Sequence, residues 1–125
     1  MRTLLVLTLS ALLSVSAAFG HHSLAAEFDS NKQVSITGTF TGIDWRNPHG
    51  WLYVDVKDAA GKLVKWQVEL GSPNQMSRSG WSKDSVKVGE ELVISGIMAK
   101  DGTNTVSSRN IKFKDGRTVF SQGGR

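Results

Sequence analysis

The sequence predicts an all-β domain, a small five- to six-stranded antiparallel OB-like barrel with one short helix, preceded by a signal peptide. Three observations predict it. Period-two alternation of apolar and polar residues recurs in separate stretches. Turn chemistry, including Asp-Gly at 101–102 and 115–116, separates them. One helix-like break falls between the third and fourth extended stretches, the layout of an OB-type barrel. A plain antiparallel sandwich is the alternative that this order allows.

The first stretch, VSITGTFTGIDW (34–45), sets Val34, Ile36, Gly38 and Phe40 against Ser35, Thr37, Thr39 and Thr41. Gly38 and Gly42 suit the bends of a coiled strand, and the phase shift near Ile43 predicts a bulge there. RNPHG (46–50) is a turn cluster. WLYVDVKD (51–58) puts Leu52, Val54 and Val56 on one face, and Trp51, Tyr53 and Asp55 on the other. LVKWQVEL (63–70) puts Val64, Trp66, Val68 and Leu70 inward, and Lys65, Gln67 and Glu69 outward.

GSPNQMSRSGW (71–81) breaks the alternation. Ser72 suits an N-cap, Pro73 the first helical position and Gly80 the stop, which predicts a short helix. Strands are then expected at about 92–99 and 105–113, joined through Asp101-Gly102, and a last short one at 117–120. Trp81, just past the helix, is expected to plug the end of the barrel.

The start, MRTLLVLTLSALLSVSAAFG, has an arginine, an apolar run and small residues, the layout of a secretory signal. The apolar run is shorter than the roughly 20 residues of a membrane span. The division expected is therefore a signal peptide at 1–20 and a single domain at 21–125. No membrane span remains after cleavage, and the destination is the periplasm or the exterior. Cleavage after Gly20 makes His21 the first residue, and cuts after Ala18 or Ala17 also have small residues at the right offsets.

The 125 residues include no cysteine, so no disulfide supports the small core. The formal charge of +4 is mild, and basic and acidic residues alternate without runs of one sign. With export, this argues against nucleic acid as a partner. A monomer is expected.

Three segments carry a resemblance: HHSLAAEFDSNKQVSITGTFTGIDWRNPHGWLYVDVKD, ELGSPNQMSRSGW and VKVGEELVISGIMAKDGTNTVSSRNI. Through the His-His-Ser start, the Asn-Pro-His loop and the Gly-Ser-Pro-Asn element, the chain resembles a family of exported bacterial proteins classed only as a domain of unknown function. The resemblance covers nearly the whole mature chain. It implies export and a small β domain, and it supplies no activity.

The chain has three histidines, His21, His22 and His49. After cleavage at Gly20, the α-amine and imidazole of His21 together can chelate one Cu(II). A third nitrogen, from His49 or His22, would complete a T-shaped site. Copper favours such nitrogen sets and tops the divalent affinity order. Cleavage after Ala18 instead puts histidine third, which suits a square-planar site. Asp44 or Asn47 is placed to orient an imidazole. The plainer reading is a terminal histidine pair that chelates metal adventitiously, with His49 only bonding its loop.

Trp45, Arg46, Asn47, Trp51 and Tyr53 form a second candidate set, an aromatic face able to stack on a small molecule, a peptide or an envelope protein. Its plainer reading has Phe28 of the N-terminal arm covering those rings. No nucleophile constellation or phosphate loop is visible, and Asp44, Asp55 and Glu69 read as single, solvated carboxylates. The expected function is binding rather than catalysis: an exported protein taking a transition metal, copper first, through His21, His22 and His49. The alternative is the aromatic face with no metal role.

Overall fold

The computed structural model describes residues 26–121, which form six strands and one short helix. In chain order these are β1 (Phe28–Asp44), β2 (Trp51–Lys57), β3 (Leu63–Glu69), α1 (Pro73–Arg78), β4 (Glu91–Ala99), β5 (Thr105–Phe113) and β6 (Thr118–Ser121). All neighbouring pairs but one are antiparallel. The exception is a short parallel pairing of β3 with β5, which closes the strands into a ring, β1-β2-β3-β5-β4 and back to β1. β6 hangs on the far end of β5. This is the all-β, OB-like arrangement that the sequence predicts.

β1 serves two neighbours. Its first two thirds pair with β4 and its last residues with β2. It begins six residues before the expected Val34, because Phe28 and Asp29 already pair with Ala99 and Met98. The polar stretch after them has no alternation to reveal it. The bulge lies between Phe40 and Gly42, slightly ahead of the position read from the phase shift. It returns Ile43 to the core side, where it packs against the buried cluster.

The core fills the ring. Leu52 and Val54 from β2, Val68 from β3, Leu92 and Ile94 from β4, and Val106 and Ile111 from β5 are fully buried. Met76 from α1 and Trp81 after it close one end, as expected of the plug. Trp66 faces this core but is only half-buried. The helix starts as its capping residues dictate: the Ser72 hydroxyl accepts the Gln75 N–H, and Pro73 takes the first turn. It stops at Gly80, whose φ of 83° suits glycine. No helix among the described residues is long and apolar enough to cross a membrane.

β4 and β5 approach closely at Gly96. A Cβ there would lie 2.0 Å from the Ser107 carbonyl oxygen, a backbone atom that cannot move without opening the ladder. Nothing lies within 4 Å of a Cβ at Gly42. Gly96→Ala is therefore expected to destabilise by about 1–3 kcal/mol or more. Gly42→Ala should fall within about 0.5 kcal/mol of wild type. Urea denaturation of the two variants checks the contrast.

Candidate functional site

The link between β1 and β2, residues 45–50, is stitched to the chain leaving β3. The Gly50 N–H donates to the Gly71 carbonyl at 3.0 Å, and the Leu70 N–H donates to the Gly50 carbonyl at 2.9 Å. The Asn47–Pro48 peptide bond within it is cis. β2 and β3 pair along their full length, Trp51 opposite Glu69, Tyr53 opposite Gln67 and Asp55 opposite Lys65. Period-two geometry puts all six side chains on the face away from the core.

His49 precedes Trp51 by two residues and reaches over the same face. Its Nδ1 lies 2.6 Å from Oε1 of Glu69, donating to the carboxylate. The Glu69 side chain is only 8% exposed, against 44% for His49. Here the structure corrects the sequence reading. Glu69 points outward from the core, as expected, but it is buried, with His49 of the 45–50 link against it. It is not solvated. Burial raises its pKa above the usual carboxylate range, the nearby Glu27 carboxylate adds to that, and the charge and hydrogen bond of His49 act against it.

The residue orienting His49 is thus Glu69. Asp44 instead pairs with Arg46, Oδ2 to Nε at 3.1 Å, in an exposed ion pair that contributes little. Asn47 is exposed. No hydrophobic pattern marks Glu69 as buried. A signal of sorts exists in its register opposite Trp51, next to the Asn-Pro-His link, but only the folded link makes it visible.

The aromatic candidates divide. Trp45 turns to the core side and packs on Trp81, ring centres 6.1 Å apart, so it does not share a face with the other two. The bulge in β1 sets that orientation. Trp51 and Tyr53 lie outward, each half-buried. Phe28 is buried with Ile97 and Ala99, and lines a groove that also contains Trp51 rather than capping all three rings. His21 and His22 lie outside the described residues. Among the described residues, no three His, Cys, Asp or Glu side chains converge as a metal group.

The chain enters this corner from its N-terminal side. The Lys100 N–H donates to the Glu27 carbonyl at 2.8 Å, which anchors the start of β1. Glu27 is close enough to Glu69 to act on its ionisation.

The sign of the Glu69 shift dictates a pH dependence. The folded pKa lies above the unfolded one, so the folded state holds the proton more tightly. Stability from this group is greatest below the unfolded value of 4.5 and falls as pH rises through the folded value. Glu69→Gln removes that loss, so its melting temperature should gain on wild type between pH 4 and neutrality. His49→Ala removes the two influences that lower the pKa, so it should steepen the loss and cost about 1–3 kcal/mol near neutrality. Thermal melts of the three proteins across this range provide the check.

A family model described as "Family of unknown function (DUF6152)" matches residues 10–108. No curated protein matches the chain. No solved structure matches it either. The match spans most of the sequence, and it includes the Asn-Pro-His link, Glu69 and the ring-closing residues 67–69 and 105–107: the chain belongs to this family of unknown function.

Proposed function

We propose that this is an exported binding protein whose mature N-terminus and His49 together hold a transition metal, copper first. The His49–Glu69 pair carries this reading. A carboxylate that takes Nδ1–H of an imidazole leaves Nε2 as the unprotonated, metal-ready nitrogen and fixes the ring's direction. Metal-ligating histidines are oriented in this way as a rule. Here the carboxylate is buried and the imidazole is partly exposed.

The length of chain is sufficient. Five chain steps lead from Glu27 back to His22, a reach of up to about 17 Å. Glu27 acts electrostatically on Glu69, and this length of chain supports a reading in which the α-amine and imidazole of a first residue His21 meet His49. Nitrogen ligands of this kind suit Cu(II). The role is metal binding, sensing or delivery in the periplasm, without a catalytic step.

A second reading, a binding module for a small molecule, peptide or envelope protein, is favoured by one observation. Trp51 and Tyr53 stand half-exposed on the outward face, each in a groove.

Calorimetric titration of Cu(II) into the exported protein tests the metal reading, after intact mass confirms a start at His21. One equivalent should bind. His49→Gln should weaken it by at least about tenfold and Glu69→Gln by roughly 10–100-fold. Affinity unchanged in His49→Gln would reduce the histidine pair to an adventitious chelator and end this reading.

A further inference from the structure

We propose that the outer face of β2 and β3, rimmed by the β4–β5 hairpin, binds a neutral oligosaccharide. The inference rests on the aromatic-face reading and is independent of the metal.

Two adjoining grooves cross this face. One, of about 540 Å³, runs past Trp51, and the other, of about 430 Å³, runs past Tyr53. Gln67, Thr103 and Thr105 line both. Their sizes fall within the roughly 300–1,000 Å³ of ligand sites. Trp51 and Tyr53 sit two residues apart on one strand, about 7 Å along it, so their rings follow one another down the groove. The β2–β3 face and the β4–β5 loop are also where OB-type rings take oligomeric ligands.

The wall facing the rings is polar and held in place. Nε2 of Gln67 donates to the Thr105 hydroxyl at 2.9 Å. The Thr103 hydroxyl donates to Asp101 at 2.7 Å and lies 2.8 Å from the Thr105 hydroxyl. Thr103 has one hydroxyl hydrogen and Asp101 takes it, so Thr105 is the donor in that last contact. The chain therefore runs one way, Gln67 to Thr105 to Thr103 to Asp101. Asp101 also accepts the Thr103 N–H at 3.0 Å. The hydroxyl bond first, then the backbone one, holds its carboxyl below the usual range, which keeps it an acceptor.

This leaves Gln67 with a carbonyl oxygen and a second N–H outside the chain of bonds, in a fixed position. Its backbone N–H donates to the Asn104 carbonyl at 3.1 Å, which ties the hairpin to β3. An aromatic row opposite an oriented amide and hydroxyls suits a pyranose, whose C–H face is apolar and whose edge carries donor–acceptor groups.

Charge and backbone select against other oligomers. Lys65 and Lys100 are offset by Glu27 and Asp101 around the grooves. A polyanion requires a net positive track, which is not found here. An extended peptide adds to a sheet edge through its main chain, whereas β2 and β3 pair with each other along their full length, so the groove floor offers side chains.

Titration of the isotope-labelled mature chain with cellohexaose and chitohexaose, followed by amide NMR, tests this. Shifts should concentrate at residues 51–53, 65–67 and 102–105, and should persist on adding salt. Trp51→Ala and Gln67→Leu should each weaken binding by about tenfold or more. Thr103→Val, which keeps both rings and Gln67 but breaks the bond chain, should also weaken it, with amide positions elsewhere unchanged. No shift at this face with either glycan overturns the proposal. Salt-sensitive binding of oligothymidylate at the same amides, without glycan binding, also overturns it while leaving the aromatic-face reading intact.

Discussion

The fold turns on the parallel contact that closes its ring, residues 67–69 of β3 against 105–107 of β5. Parallel pairing is slightly weaker per residue than antiparallel pairing, and only three residues of each strand take part. Burial supports it: Val68 and Val106, paired in register, are both fully buried. The Ser108 hydroxyl adds a buried bond of 2.8 Å to the Glu69 carbonyl. β4 also runs close to β5 at Gly96, beside the closing segment. Alternate residues of the closing segment then face outward, and these are Gln67 and Glu69. Both candidate sites are built on the strand that closes the ring.

Glu69 imposes the second constraint. A buried carboxylate costs desolvation free energy, which its raised pKa registers. It persists because His49 supplies a donor, and His49 is in place because Gly50 is bonded on both sides to the chain leaving β3. A hydrogen-bonded pair built on a buried carboxylate is weak ground for stability, since apolar residues of similar volume often do as well or better. The pair does more when read as an orienting device: it fixes one ring nitrogen of a partly exposed imidazole.

Local rules made most of the fold legible in the sequence. Alternation marked the strands, Ser72, Pro73 and Gly80 marked the helix, and Asp101-Gly102 marked the hairpin. What escaped was non-local. The early start of β1 depends on β4, which supplies partners for Phe28 and Asp29 where the polar residues show no pattern. Glu69 is buried where His49 of the 45–50 link meets it, a contact only the fold creates. Trp45 and Trp51 look equivalent around the Asn-Pro-His turn, yet the bulge between Phe40 and Gly42 sends Trp45 to the core side. The bond chain from Gln67 to Asp101 joins residues that only ring closure brings together. His49 was visible as a candidate because its residue type is rare here, but its partner was not.

Gln67 and Glu69 stand two residues apart on one strand, and Glu27 belongs to both neighbourhoods, lining the groove and acting on Glu69. The histidine corner and the aromatic groove are therefore adjacent parts of one face. A substitution at Val68 or Val106 would disturb both by opening the ring, and loss of binding there would reveal nothing about a ligand. Gln67 bonds Thr105 across the closure, whereas substitutions at His49 or Trp51 alter the outward face and leave the closing contacts in place. Only changes of that kind separate what the face binds from what keeps the ring shut.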